Sequence, residues 1–118
     1  MKSDITVSAA SGKWSIRAGG AVLGETTKAL ELYEGNNGPV LYFPKRDLAM
    51  AIFEKTDQKT TCPHKGTSGY YSIVTKSQTL KHIAWEFISP NSAAMDLLDY
   101  IAFVPTSAIT IEKLEKGC

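Results

Sequence analysis

The sequence predicts a single, mainly β domain of antiparallel sheets with one or two short helices, and three observations carry that expectation. Apolar and polar residues alternate with period two through stretches rich in β-branched and aromatic side chains, as in Leu80–Ile88, the pattern of a strand with one buried face. Clusters such as Gly35-Asn36-Asn37-Gly38-Pro39 break the chain between those stretches, as turn residues do. The third observation is size. A chain of 118 residues, 43% of them hydrophobic, suits one domain whose core needs no disulfide or metal staple, and no repeat, low-complexity tract or linker divides residues 1–118.

In chain order, Trp14–Ala18 and Ala21–Leu23 form a hairpin, because Gly19-Gly20 between them accepts the positive φ of a two-residue primed turn. Ala29–Glu34 alternates Leu30 and Leu32 against Glu31 and Tyr33, and a short apolar strand, Val40–Phe43, follows the Gly/Asn break. Past Pro44 the period changes: Leu48, Ala49, Ile52 and Phe53 share a helical face, giving one or two turns over Asp47–Phe53. Tyr70–Thr75 and Leu80–Ile88, joined by Lys76-Ser77-Gln78-Thr79, pair as a second hairpin. Alternation sends Ile83, Trp85 and Phe87 to one, covered face and His82, Ala84, Glu86 and Ile88 to the other. Ser89-Pro90-Asn91-Ser92 is a helix start, with Pro in the first turn and Ser or Asn accepting an orphan N–H, so a short helix spans about Ser92–Leu98. Tyr100–Val104 and Ala108–Leu114 return to strand composition on either side of Pro105, and Glu112–Cys118 is a polar tail.

Charge excludes some partners. A net charge of +1 and a pI near 7.7 lack the basic excess of a nucleic-acid binder. The longest uncharged run, Tyr100–Ile111, contains Pro105, Thr106, Ser107 and Thr110 and falls short of the roughly 18 apolar residues of a membrane span. Asp4 stands where an export signal runs apolar, so the expected setting is the reducing cytoplasm. Residues 55–83 carry five lysines against Asp57, whereas residues 84–115 carry Glu86, Asp96, Asp99, Glu112 and Glu115 against Lys113; these segments pair with each other or line different faces.

The densest chemistry lies in Thr60–Tyr70. Cys62 stands beside His64 and Lys65, and positive neighbours favour a thiolate. One reading makes Cys62 a nucleophile with Lys65 favouring the thiolate and His64 as acid or base. The other makes Cys62 a small buried residue opening a turn stiffened by Pro63. A redox Cys-x-x-Cys is excluded, because Lys65 stands where the second thiol belongs. Cys62, His64, His82 and Cys118 are zinc-compatible types, but they lack the paired spacing of two to four residues that zinc sites use, so no metal and no other cofactor is expected. The Gly-x-Ser-x-Gly, His-Glu-x-x-His and phosphate-loop templates are absent. Gly66-Thr67-Ser68-Gly69 behind Lys65 could turn several N–H groups toward an anion. Tyr42, Tyr70 and Trp85 lie near chain breaks; where their strands adjoin they wall a cleft with Lys65 or Arg46 at its mouth, suited to a small planar or anionic ligand. The rival is a plain aromatic core.

Gly24–Leu30, Glu34, Pro39–Pro44, Thr61-Cys62-Pro63-His64-Lys65-Gly66, Tyr70, Ala84-Trp85 and Tyr100–Pro105 together resemble the domain-of-unknown-function family numbered four hundred and twenty-seven. The likeness covers about residues 14–111, leaving 1–13 and 115–118 peripheral, and its most specific part is Cys62-Pro63-x-Lys65-Gly66 with Tyr70 four residues beyond. Two segments depart: Val104 replaces a frequent Tyr before the final Pro, and the usual Trp-Ser-Tyr-Pro is Trp85-Glu86-Phe87-Ile88. The resemblance implies a β-tent fold similar to Mss4-like proteins and methionine sulfoxide reductase B, many of which hold zinc through cysteine pairs that this chain lacks. It also brings a nucleotidyltransferase-like label, for which Asp96 and Asp99 are a poor metal-nucleotide pair.

The expected function is therefore small-molecule binding, anions included, by Tyr42, Arg46, Cys62, Lys65, Gly66, Tyr70 and Trp85. A cysteine-dependent enzyme using Cys62, His64 and Lys65 is the alternative, and an interaction module with an exposed sheet edge is the third.

Overall fold

Alternating side chains and tight turns resolve into two antiparallel sheets. The computed structural model describes residues 5–35, 39–63 and 65–114. Its strands are β1 (Ile5–Ala9), β2 (Lys13–Ala18), β3 (Ala21–Thr26), β4 (Leu30–Glu34), β5 (Val40–Pro44), β6 (Phe53–Cys62), β7 (Gly66–Val74), β8 (Thr79–Pro90), β9 (Tyr100–Phe103) and β10 (Ile109–Leu114). Seven lie in the order β1-β4-β5-β9-β8-β7-β6 and three in the order β10-β2-β3. The mainly β, antiparallel single domain with short helical turns expected from the sequence is the one the chain adopts. Among the described residues no helix is long and apolar enough to cross a membrane.

The principal core lies between the sheets, where Ile16 and Leu23 of the small sheet join Phe43, Ile73, Ala84 and Phe103 of the large one. On the outer face of the large sheet, Ala94 and Leu97 of a 3-10 segment pack over Leu32, Tyr42, Phe87 and Ala102. Both faces of β8 are thus covered. The expected alternation along β8 also breaks: His82 takes a φ of 53° and the β7–β8 register shifts between Tyr71 and Ile73. This bulge turns Ile83 into the inter-sheet core beside Ala84, away from the face of Trp85 and Phe87.

Other differences follow from tertiary demands. Asp47–Phe53 is no single helix but two 3-10 turns, Lys45–Asp47 and Met50–Ile52, with Phe53 opening β6. Between the turns, Leu48 bridges to Gly24 and the Ala49 N–H donates to the Leu23 carbonyl at 2.8 Å, fastening this segment to β3. Thr26 Oγ1 adds a 2.7 Å hydrogen bond to Asp47 Oδ2. The helix expected at Ser92–Leu98 is 3-10 over Ser92–Leu97, and Pro90 closes β8 rather than opening that turn. β10 ends at Leu114 as expected, so Glu112, Lys113 and Leu114 belong to the strand and not to the polar tail. Only Gly19 of the Gly19-Gly20 turn uses positive φ, at 60°.

Two strands carry no clear sequence signal, and both are sheet edges. β1 pairs with β4 from within residues 1–13, and β6 pairs with β7 although nearly every side chain after Phe53 is exposed. An edge strand with little buried surface needs no apolar alternation. The four ion pairs among the described residues are Lys13–Glu25, Arg17–Glu112, Lys45–Glu86 and Lys65–Glu34. None joins the basic middle to the acidic end.

Candidate functional site

One cavity of about 360 Å3 opens on the outer face of the large sheet. Its walls are next-but-one pairs from five strands: Leu32 and Glu34, Val40 and Tyr42, Thr60 and Cys62, Ser68 and Tyr70, Trp85 and Phe87. Residues i and i+2 share a strand face, so one side of the sheet supplies all ten, and Lys65 in the β6–β7 turn completes the ring. Register aligns them. Tyr70 lies opposite Trp85, and Trp85 opposite Ala102 of β9, which separates β8 from β5. Ala102 is small, so Tyr42 and Trp85 reach each other across β9.

The aromatic wall is ordered. Tyr42 meets Trp85 edge-on at 6.3 Å between centroids and stacks on Phe87 at 5.9 Å. Tyr70 tilts against Trp85 at 6.4 Å, and its hydroxyl shares a 3.3 Å hydrogen bond with Thr60 Oγ1. Tyr42 is only 2% exposed. Burial pushes its hydroxyl up to about 12; the Trp85 indole opposes that, and the Glu34 carboxylate adds to it.

The polar edge is a charge pair. Lys65 Nζ donates to Glu34 Oε1 at 2.9 Å, both side chains being about a quarter exposed. The turn that carries Lys65 is held from outside: Asn91 Nδ2 donates to the Pro63 carbonyl and the Asn91 N–H to the Lys65 carbonyl, each at 2.8 Å. Asn91 thus stands at the start of the 3-10 segment without capping it by its side chain.

Of the residues singled out from the sequence, Tyr42, Cys62, Lys65, Tyr70 and Trp85 come together here. Gly66 does not line the cavity. It sits beneath the turn at φ 117°, against the Ser89 carbonyl and the backbone of Pro90 and Asn91. The expected anion cradle over Gly66–Gly69 is absent because that segment is strand, paired to β6 and β8 on its two sides. Arg46 also lies elsewhere, exposed in a separate hollow with Lys45, Asp99 and Tyr100, because the chain leaves the cavity face where β5 ends at Pro44. His64 falls outside the described residues. Cys62 is a free, half-buried thiol. Among the described residues no three His, Cys, Asp or Glu side chains gather as metal ligands.

Sequence reasoning missed Leu32, Glu34, Val40, Thr60, Ser68 and Phe87 as cavity residues. The signal for Val40, Thr60, Ser68 and Phe87 was the two-residue step to Tyr42, Cys62, Tyr70 and Trp85, and Leu32 and Glu34 join them only through the pairing of β4 with β5.

On the opposite face, Glu86 is buried at 7% exposure. It pairs with Lys45 and accepts a 3.0 Å hydrogen bond from the Tyr71 hydroxyl. Burial alone would lower the Lys45 ammonium, but the hydrogen bond and charge of Glu86 outweigh it and hold the group above its ordinary value. Burial, reinforced by Glu86, also raises Tyr71.

Two packed antiparallel sheets with an aromatic cleft on the outer face of the larger define a small β domain with a side-chain-built cavity. The chain belongs to the family described as domain of unknown function (DUF427), whose model matches residues 6–114. That match extends past the 14–111 stretch that carries the visible resemblance. No curated protein matches the chain.

Proposed function

We propose that the domain binds a small planar molecule in the cleft of Tyr42, Tyr70 and Trp85. The observation that carries this reading is the cavity itself: about 360 Å3, three aromatic walls and a polar edge of matched charge. Volumes of roughly 300–1,000 Å3 with few polar groups are typical of small-molecule sites. A bare anion would have to compete with Glu34 for Lys65. A ligand that presents an N–H to Glu34 and a carbonyl to Lys65, as a primary amide does, uses both partners of the pair. The free Cys62 thiol suits a reducing, cytoplasmic setting.

A thermal-shift panel at constant ionic strength tests this. Benzamide and nicotinamide should raise the Tm by mass action, and Lys65→Met should remove most of the gain. Phosphate, acetate and AMP are the anionic arm. Stabilisation by anions alone would overturn the amide reading, and a panel without any response would overturn the cleft as a binding site.

A second reading, a cysteine-dependent enzyme, is favoured by Cys62 lining the same cavity. Its weakness is that Lys65, the cation meant to support the thiolate, is already engaged by Glu34. The interaction-module reading is weakened by β6, where Lys55, Lys59 and a register shift between them interrupt the exposed edge, devices that discourage strand addition.

A further inference from the structure

We infer that the ligand is amphipathic, with a planar polar head in the cleft and an apolar tail that passes Val40 and Trp85 into an adjoining hollow lined by residues of both sheets; this rests on the binding reading above. That hollow, about 420 Å3, is lined by Trp14, Leu41, Phe103, Val104, Ile109 and Ile111 among others, and it shares Val40 and Trp85 with the cleft. The two cavities therefore adjoin at Val40 and Trp85.

The two sides differ in chemistry. The cleft holds Glu34, Lys65 and the Thr60, Ser68 and Tyr70 hydroxyls, whereas the hollow offers one hydroxyl, from Thr106. The apolar side is also wet: Ile111 on the edge strand β10 is 37% exposed. Hydrocarbon laid there would remove apolar surface from water on both partners. Trp14 is fixed for contact, since its indole N–H donates to the Ser11 carbonyl at 3.0 Å and the Lys113 ammonium lies 5.9 Å from its ring centroid. Each cavity alone sits at the small end of the range for small-molecule sites, and joined they reach its middle.

The test is a titration series of benzamide, 4-ethylbenzamide and 4-butylbenzamide, read by calorimetry. Affinity should rise about two- to fourfold per added methylene, the scale set by burial of a CH2 group. Ile111→Glu, a change at an exposed edge position, should leave benzamide binding intact and abolish the gain with chain length. In Trp85→Phe protein the remaining indole is Trp14, and its fluorescence should respond to 4-butylbenzamide but not to benzamide. Benzamide binding with a flat series, or a gain that survives Ile111→Glu with Trp14 silent, overturns the tail site and leaves the cleft standing. Failure of every member to bind overturns both.

Discussion

Asn91 holds the Pro63 carbonyl through its side chain, 28 residues distant in sequence, and the Lys65 carbonyl through its backbone. Two clamps on one turn fix the end of the cleft that carries Cys62 and Lys65. Asn91→Ala removes the side-chain clamp alone. One lost hydrogen bond on an exposed turn should cost about 1 kcal/mol in urea denaturation. The same variant should let iodoacetamide reach Cys62 faster in the folded protein. Unchanged alkylation together with unchanged stability would show that the clamp positions nothing.

Cys62 also separates the two functional readings. In a binding cleft, benzamide at saturation should slow its alkylation, because the bound ring occupies the space the reagent must cross. A catalytic thiolate would instead be alkylated rapidly already near pH 6 and would slow on Lys65→Met, as loss of a positive neighbour disfavours the charged form. Mass spectrometry of the alkylated peptide distinguishes the two outcomes.

Glu86 is the stability counterpart on the other face. Its carboxylate has two partners, Lys45 and Tyr71, and Glu86→Ala strands both. Breaking a buried pair costs about 3–5 kcal/mol; because Lys45 keeps 30% of its side chain exposed and can turn to water, the expected loss is about 2–3 kcal/mol. Tyr71→Phe removes one hydrogen bond and should lose about 1 kcal/mol. Chemical denaturation checks the order, and equal losses would refute the assigned roles.

The strands that pack on two sides were legible in the sequence, and β1 and β6, the two edges of the large sheet, were not. Leu80–Ile88 announced itself by its aromatic and β-branched side chains, which it packs on both faces, while Phe53–Cys62, with little to bury, gave only a polar string. Five cleft residues were legible because Tyr42, Cys62, Lys65, Tyr70 and Trp85 are chemically distinctive. Glu34 belongs to the family resemblance but not to the expected site, since its partnership with Lys65 depends on a topology that sets β6 and β4 on one sheet with four strands between them. Arg46 misled because proximity in sequence to Tyr42 says nothing about which way the chain turns after Pro44. Gly66 was read for an anion, yet its positive φ and backbone neighbours serve the turn.

Stability should fall in alkali for a specific reason. Tyr42, Tyr71 and Lys45 all bind their protons more tightly when folded. Above the unfolded values near 10, the native state then holds more protons than the unfolded one, so unfolding becomes easier as pH rises. For Tyr42 the window runs from 10.0 to about 12, and a shift of that size corresponds to roughly 2–3 kcal/mol. Absorbance at 295 nm should show one phenolate forming late, near pH 12, in native protein. Tyr42→Phe should remove that step and flatten the decline in stability across the window. A titration in which every tyrosine ionises near pH 10 would refute the buried environment given to Tyr42.

The sharpest steric test is Gly66→Ala. At φ 117° a side chain is strained whatever the space around it, and here an added Cβ would run into the Ser89 carbonyl and the backbone of Pro90 and Asn91. Strain of this kind costs about 1–3 kcal/mol, and the collision adds to it because backbone on both sides is tied into the sheet. The expected result is a loss of about 3 kcal/mol or more, with the Cys62–Lys65 turn displaced and benzamide binding lost at temperatures where the variant is still folded. Gly69→Ala provides the comparison, since its added Cβ meets only the movable end of Ile88 and should be tolerated better. If Gly66→Ala were as stable as Gly69→Ala, the close packing of this turn against the end of β8 would be wrong, and with it the position of Lys65 at the cleft.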